Sequence, residues 1–126
     1  MNLRNPLATA RGLGSAKAGT GHWWAQRVTA LALIPLSLWF VVSMLELVRA
    51  DYVVVLDWLH APWTAVLLSV YLFTLFYHAY LGLQVVIEDY VHTEWLKIGT
   101  LLLIKFACIL LAAAGVFTAL RIAFGA

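Results

Sequence analysis

The chain has 126 residues, of which 64% are hydrophobic and only 11% are Asp, Glu, Lys or Arg, with a net charge of +2. A soluble domain carries about 25% charged residues, so six acids and eight bases are too few to clothe a water-soluble globule, and the chain reads as an all-α membrane protein. At about 20 residues per span, the length leaves room for four membrane helices at most and none for a soluble catalytic domain.

Residues 1–27 form a basic arm: Arg4, Arg11, Lys17 and Arg27 all precede the first acid, Glu46, and Gly12, Gly14, Gly19 and Gly21 fall in the same stretch. That glycine density predicts extended or irregular chain, not a fourth span. Residues 28–45 contain no charged side chain and open a first span over about 28–48, with Pro35 inside it as a kink. Residues 58–87 are thirty positions without Asp, Glu, Lys or Arg; Pro62 suits a helix start, and the second span covers about 63–88. A third span over about 98–121 has Lys105 as its only charge up to Leu120. No run alternates with period two, so the three are helices and not barrel strands. Residues 28–126 are thus a three-helix transmembrane domain.

The first apolar run is span-length and begins after residue 27, unlike the short core of a secretory signal, so no cleavage is expected. The basic arm is a topology signal and not a nucleic-acid patch. It puts the N-terminus on the cytoplasmic side, or the matrix side of a mitochondrion, the loop 89–97 on that same side, and the C-terminus outside. Trp23, Trp24, Trp58, Trp63 and Trp95 sit at span ends as interfacial anchors, while Trp39 is placed to pack within the bundle.

A single cysteine, Cys108, excludes an internal disulfide, a four-thiolate iron–sulfur cluster and covalent haem attachment, which leaves histidine or packing to hold any cofactor. Cys108 and Met44 read as packing residues, and Lys105 as a snorkelling side chain. His78 lies near the middle of the second span with no acid or base within nine residues on either side. An ionisable group at that depth is a functional candidate by default. Neutral imidazole can ligate haem iron, and Gly82, one turn on, removes a side chain where a flat macrocycle needs room. A core histidine hydrogen-bonded across the bundle, with Gly82 serving close helix packing, is the alternative. His22, His60 and His92 lie at or beyond span ends, so a six-coordinate haem would need its second ligand from another subunit.

Glu88, Asp89 and Tyr90 close the second span. His78 and Asp89 are eleven residues apart, within about 20° of each other on the helix and about 16 Å apart along it. A phenol that donates to a carbonyl and a carboxylate that relays protons are what quinone reduction requires, although a solvated acidic helix end with an anchoring Tyr has the same composition. Arg27, with His22 nearby, suits haem propionates or a lipid phosphate, and snorkelling to headgroups is the alternative.

The segments Gly14-Ser15-Ala16-Lys17, 21–30 (GHWWAQRVTA) and 78–92, where His78 is followed eleven and twelve residues later by Asp89-Tyr90, resemble the hydrophobic membrane anchor subunits of bacterial succinate dehydrogenase, the D subunits of respiratory complex II. The resemblance covers nearly the whole chain. It implies half of a heterodimeric anchor bundle that pairs with a second three-helix anchor, the cytochrome b556-type C subunit, and holds one haem b between the two. It further implies docking of the iron–sulfur and flavoprotein subunits and reduction of ubiquinone beside the iron–sulfur subunit, in electron transport from succinate. In this chain His78 would be the axial ligand to the haem iron, Tyr90 the phenol on the quinone carbonyl and Asp89 its acidic neighbour, with Arg27 and His22 toward the haem propionates. This chain would oxidise no succinate itself. The resemblance favours a bacterial plasma membrane over a mitochondrial inner membrane. The competing class is a haem-free structural or assembly protein with three spans; a proton-coupled half-transporter fits less well, because the acids sit at a span end and not at the midplane.

Overall fold

The computed structural model describes residues 15–125. Four α-helices follow one another: α1 (Ser15–Leu47), α2 (Tyr52–His60), α3 (Pro62–Tyr90) and α4 (Glu94–Ala123), and among the described residues there is no strand. Thr20–Leu47 of α1, all of α3 and all of α4 are long and apolar enough to cross a membrane. In hydrocarbon a backbone N–H or C=O finds its partner within its own helix, which is why apolar runs of this length take that form.

Two features depart from the expected elements. The arm is not irregular throughout, because α1 begins at Ser15 and runs unbroken through Gly19, Gly21 and Pro35. Each glycine costs about 1 kcal/mol relative to Ala in a helix, but a helix already nucleated by the apolar run extends without a second nucleation step. Arg4, Arg11, Gly12 and Gly14 lie outside the described residues. The second departure is α2, a nine-residue helix in the connection between the first two spans. Trp58 from α2 stacks on Trp39 from α1 with ring centroids 5.8 Å apart, so Trp39 is held against the tryptophan that marks a span end. At the start of α3, Pro62 occupies the first turn, where a backbone N–H would have no helical partner.

α3 is the central helix and packs along both α1 and α4. It runs antiparallel to α1, since Ser37 pairs with the Tyr71 hydroxyl (3.3 Å) while Thr29 pairs with His78. Among the described residues the buried side chains are mostly small or hydroxylated: Thr29, Ser43, Thr64, Ala65, Thr74 and Ala119, with only Leu81 and Ile87 larger. Lipid is as apolar as leucine, so membrane helices gain little by burying large side chains and associate through close approach and hydrogen bonds instead.

Gly115 on α4 faces Leu72 on α3 at close range. A Cβ there would lie 3.0 Å from Cδ1 of Leu72, at the end of a side chain that can swing aside. Gly115→Val adds branches beyond that point. It is expected to destabilise the solubilised protein by about 1–3 kcal/mol, seen as a lowered thermal midpoint. Gly115→Ala should stay near neutral, because its gain in helix propensity offsets the displacement of Leu72.

Candidate functional site

His78 projects from the middle of α3 with its ring half-buried and turned to α1, where Nδ1 lies 2.9 Å from the Thr29 hydroxyl. Nε2 has no hydrogen-bond partner among the described residues. One turn on, Gly82 faces the same helix: a Cβ at that position would stand 3.7 Å from Nε2 of Gln26. His78 and Gly82 therefore share the α1-facing side of α3.

Beside Gly82 a recess of about 410 Å³ is lined by His22, Trp23, Gln26, Arg27, Gly82 and Val85. The α-helical spacing of four residues puts His22 and Gln26 on one side of α1, and the antiparallel pairing brings that side to Gly82 and Val85. His22 Nε2 and Gln26 Oε1 are buried there without a hydrogen-bond partner among the described residues. The Arg27 guanidinium sits 5.6 Å from the centre of the Trp23 ring, and no carboxylate pairs with it among the described residues. Trp23 is in turn braced edge-on by Trp24 at 5.0 Å. Buried polar groups are nearly always satisfied, so the open His22 nitrogen and Gln26 oxygen, with the exposed Arg27 cation at the rim, mark the recess as a place for a polar group from outside the chain.

These residues fit a haem. His78 keeps one ring nitrogen unbonded, and the neighbouring recess carries the Arg27 cation and the His22 imidazole, which are able to face propionates. No group of three or more His, Cys, Asp or Glu side chains comes together among the described residues.

Asp89 and Tyr90 lie apart from this recess. Both are exposed at the C-terminal end of α3, Tyr90 with 79% of its surface accessible, and neighbouring Glu88 accepts a hydrogen bond from the Gln84 amide at 3.1 Å. The helix directions nonetheless put them at the same end of the bundle as His22 and Arg27, together with His92 and Glu94 at the turn into α4. This end carries polar groups from three helices.

A second cavity, about 440 Å³ and almost wholly apolar, lies between α3 and α4 beside Phe73, Tyr77, Tyr80, Lys105 and Cys108. Lys105 is exposed, and Cys108 is half-buried as a packing residue. Sequence reasoning places Gln26 near Arg27 without a role and misses Thr29. Their signal is the spacing of His22, Gln26 and Thr29 at positions i, i+4 and i+7, a polar stripe entering an otherwise apolar helix.

The family described as succinate dehydrogenase/fumarate reductase transmembrane subunit matches residues 1–112. The chain is similar to the succinate dehydrogenase hydrophobic membrane anchor subunit of Rickettsia bellii, at 36% identity over 86% of this chain and 87% of that one. It is similar to the subunit of the same description from Paracoccus denitrificans at 29% identity, covering 100% of this chain and 97% of the relative. A succinate dehydrogenase membrane anchor subunit from Reclinomonas americana is 30% identical over 74% of this chain and 80% of that one. No solved structure matches. Three apolar helices of spanning length and a family match over most of the sequence lead to one assignment: the chain belongs to the family of succinate dehydrogenase hydrophobic membrane anchor subunits.

Proposed function

We propose that this chain is half of a two-subunit membrane anchor, that His78 gives one axial ligand to a haem b shared with the second anchor subunit, and that Asp89 and Tyr90 form part of the ubiquinone-reduction site. The observation that carries the reading is the free Nε2 of a pinned, half-buried histidine beside a recess whose polar groups lack partners. His78 would hold the iron, His22 and Arg27 the propionates, and Gly82 would leave room for the macrocycle. A bound haem supplies a one-electron redox centre within the membrane. The partner anchor contributes the second ligand, since His60 and His92 are at helix ends.

At the exposed end of α3, Tyr90 donates its phenolic proton as a hydrogen bond to a quinone carbonyl, and Asp89 passes protons from the aqueous side. Both are exposed in this chain alone, so the iron–sulfur subunit and the second anchor supply the remaining walls. The four bases at or before Arg27 support a cytoplasmic location for this end under the positive-inside tendency, and in this reading the flavoprotein and iron–sulfur subunits dock there, at a bacterial plasma membrane. Succinate chemistry belongs to those subunits, and this chain binds, orients and excludes water.

The test is to capture the complex from membranes through a tag on this chain and record its subunits, its reduced-minus-oxidised spectrum and its succinate-driven ubiquinone reduction. Four polypeptides with a b-type spectrum are expected. A chain that purifies as a haem-free homo-oligomer would return His78 to a packing role.

A further inference from the structure

The Thr29 hydroxyl is the only group that holds His78 among the described residues, and its geometry fixes which ring nitrogen carries the proton. Thr29 Oγ1 lies 2.7 Å from the Ala25 carbonyl oxygen and 3.1 Å from that of Gln26. A carbonyl oxygen only accepts, and 2.7 Å is the separation of two oxygens with a proton between them. Without that proton their lone pairs would repel. The hydroxyl hydrogen is therefore committed to the α1 backbone, in the back-bonded arrangement common for Thr inside helices. What Oγ1 has left for His78 at 2.9 Å is a lone pair, so Nδ1 must be the donor.

We infer that Thr29 is a positioning residue for the haem ligand: by accepting the Nδ1–H of His78 it holds the ring as the Nδ1-protonated neutral tautomer, with the Nε2 lone pair on the far side of the ring from α1. The inference rests on the reading of His78 as an axial ligand and deepens it. Thr29 is only 8% exposed, so water does not compete for the bond. A ligating histidine whose other nitrogen donates to a fixed acceptor has one tautomer, one ring orientation and a more basic donor nitrogen. A more basic nitrogen favours the ferric over the ferrous iron, so the bond holds the midpoint potential down. Because Thr29 is on α1 and His78 on α3, it also ties the ligand to the neighbouring helix.

The test compares the intact complex carrying Thr29→Val, Thr29→Ala, Thr29→Ser or His78→Ala with the unaltered one. The readouts are haem retained per complex, the haem midpoint potential and the electron paramagnetic resonance spectrum of the ferric haem. Thr29→Val keeps the shape and loses the hydroxyl. It should weaken haem retention by about 10–100-fold, move the potential positive and shift the ferric signal, whereas Thr29→Ser should match the unaltered complex in all three. Thr29→Ala is a second hydroxyl-free variant should the valine not assemble. Potentials and spectra unchanged in the hydroxyl-free variants, or moved equally by Thr29→Ser, would overturn the role of Thr29 while a spectrum altered by His78→Ala left the ligand reading standing. A spectrum indifferent to His78→Ala would overturn both.

Discussion

Replacing His78 with alanine is expected to abolish the six-coordinate b-type spectrum of the purified complex, with haem retention falling by more than the about 10–100-fold that loss of a ligand's hydrogen-bond partner costs. No other side chain can take its place. His60 lies at the far end of the bundle, His92 follows the end of α3, and His22 belongs to the recess nearer the membrane surface. The substitution leaves a hole the size of the ring, so added imidazole should restore part of the six-coordinate spectrum. Spectra with and without imidazole check both statements. An unchanged spectrum would show that the iron is held by residues of other subunits alone.

The second large effect concerns the exposed end of α3. Tyr90→Phe deletes one hydrogen-bond donor at an oxygen that gains electron density during reduction, and donors so placed are worth about 100–1000-fold in rate. Succinate-driven ubiquinone reduction should fall by that order while succinate oxidation with a water-soluble artificial acceptor is unchanged. The comparison of the two assays makes the result specific, because a misassembled complex would lose both. Equal rates of ubiquinone reduction by Tyr90→Phe and unaltered complexes would remove Tyr90 from the site and return it to interfacial anchoring. Its position favours the functional outcome: Tyr90 is 79% exposed on a helix end at the same end of the bundle as His22 and Arg27 of α1.

The three long helices are legible in the sequence because hydrocarbon-length runs carry no charge in the first two spans and only Lys105 in the third, and His78 stands out against that background. The face of α1 that meets α3 is not legible in the same way. In a soluble helix the apolar stripe names the buried side, but here both sides of α1 are apolar, with Leu31, Ile34 and Leu38 exposed. The contact face is instead marked by Thr29 and Ser37, whose hydroxyls reach His78 and Tyr71 on α3. For that reason the sequence leaves Gly82 open between macrocycle room and close helix packing, and only the register between α1 and α3 brings Gln26 to Gly82 and Thr29 to His78. α2 escaped for a different reason. At nine residues it is too short to announce itself by periodicity, and the stack of Trp58 on Trp39 ties it down.

The sparse interior of this bundle also sets how its sequence can change over time. The most buried positions between helices are mostly Thr, Ser and Ala, with Gly82 and Gly115 at close approaches, while most large aliphatic and aromatic residues are exposed. Hydrocarbon does not distinguish Leu from Ile, Val or Phe at such positions, so substitutions among them are nearly neutral and accumulate freely. Most of the information that specifies the architecture is carried by a minority of small and polar sites. Identities of 29–36% to the relatives are therefore compatible with an unaltered helix arrangement, and percentage identity understates kinship in a protein of this kind.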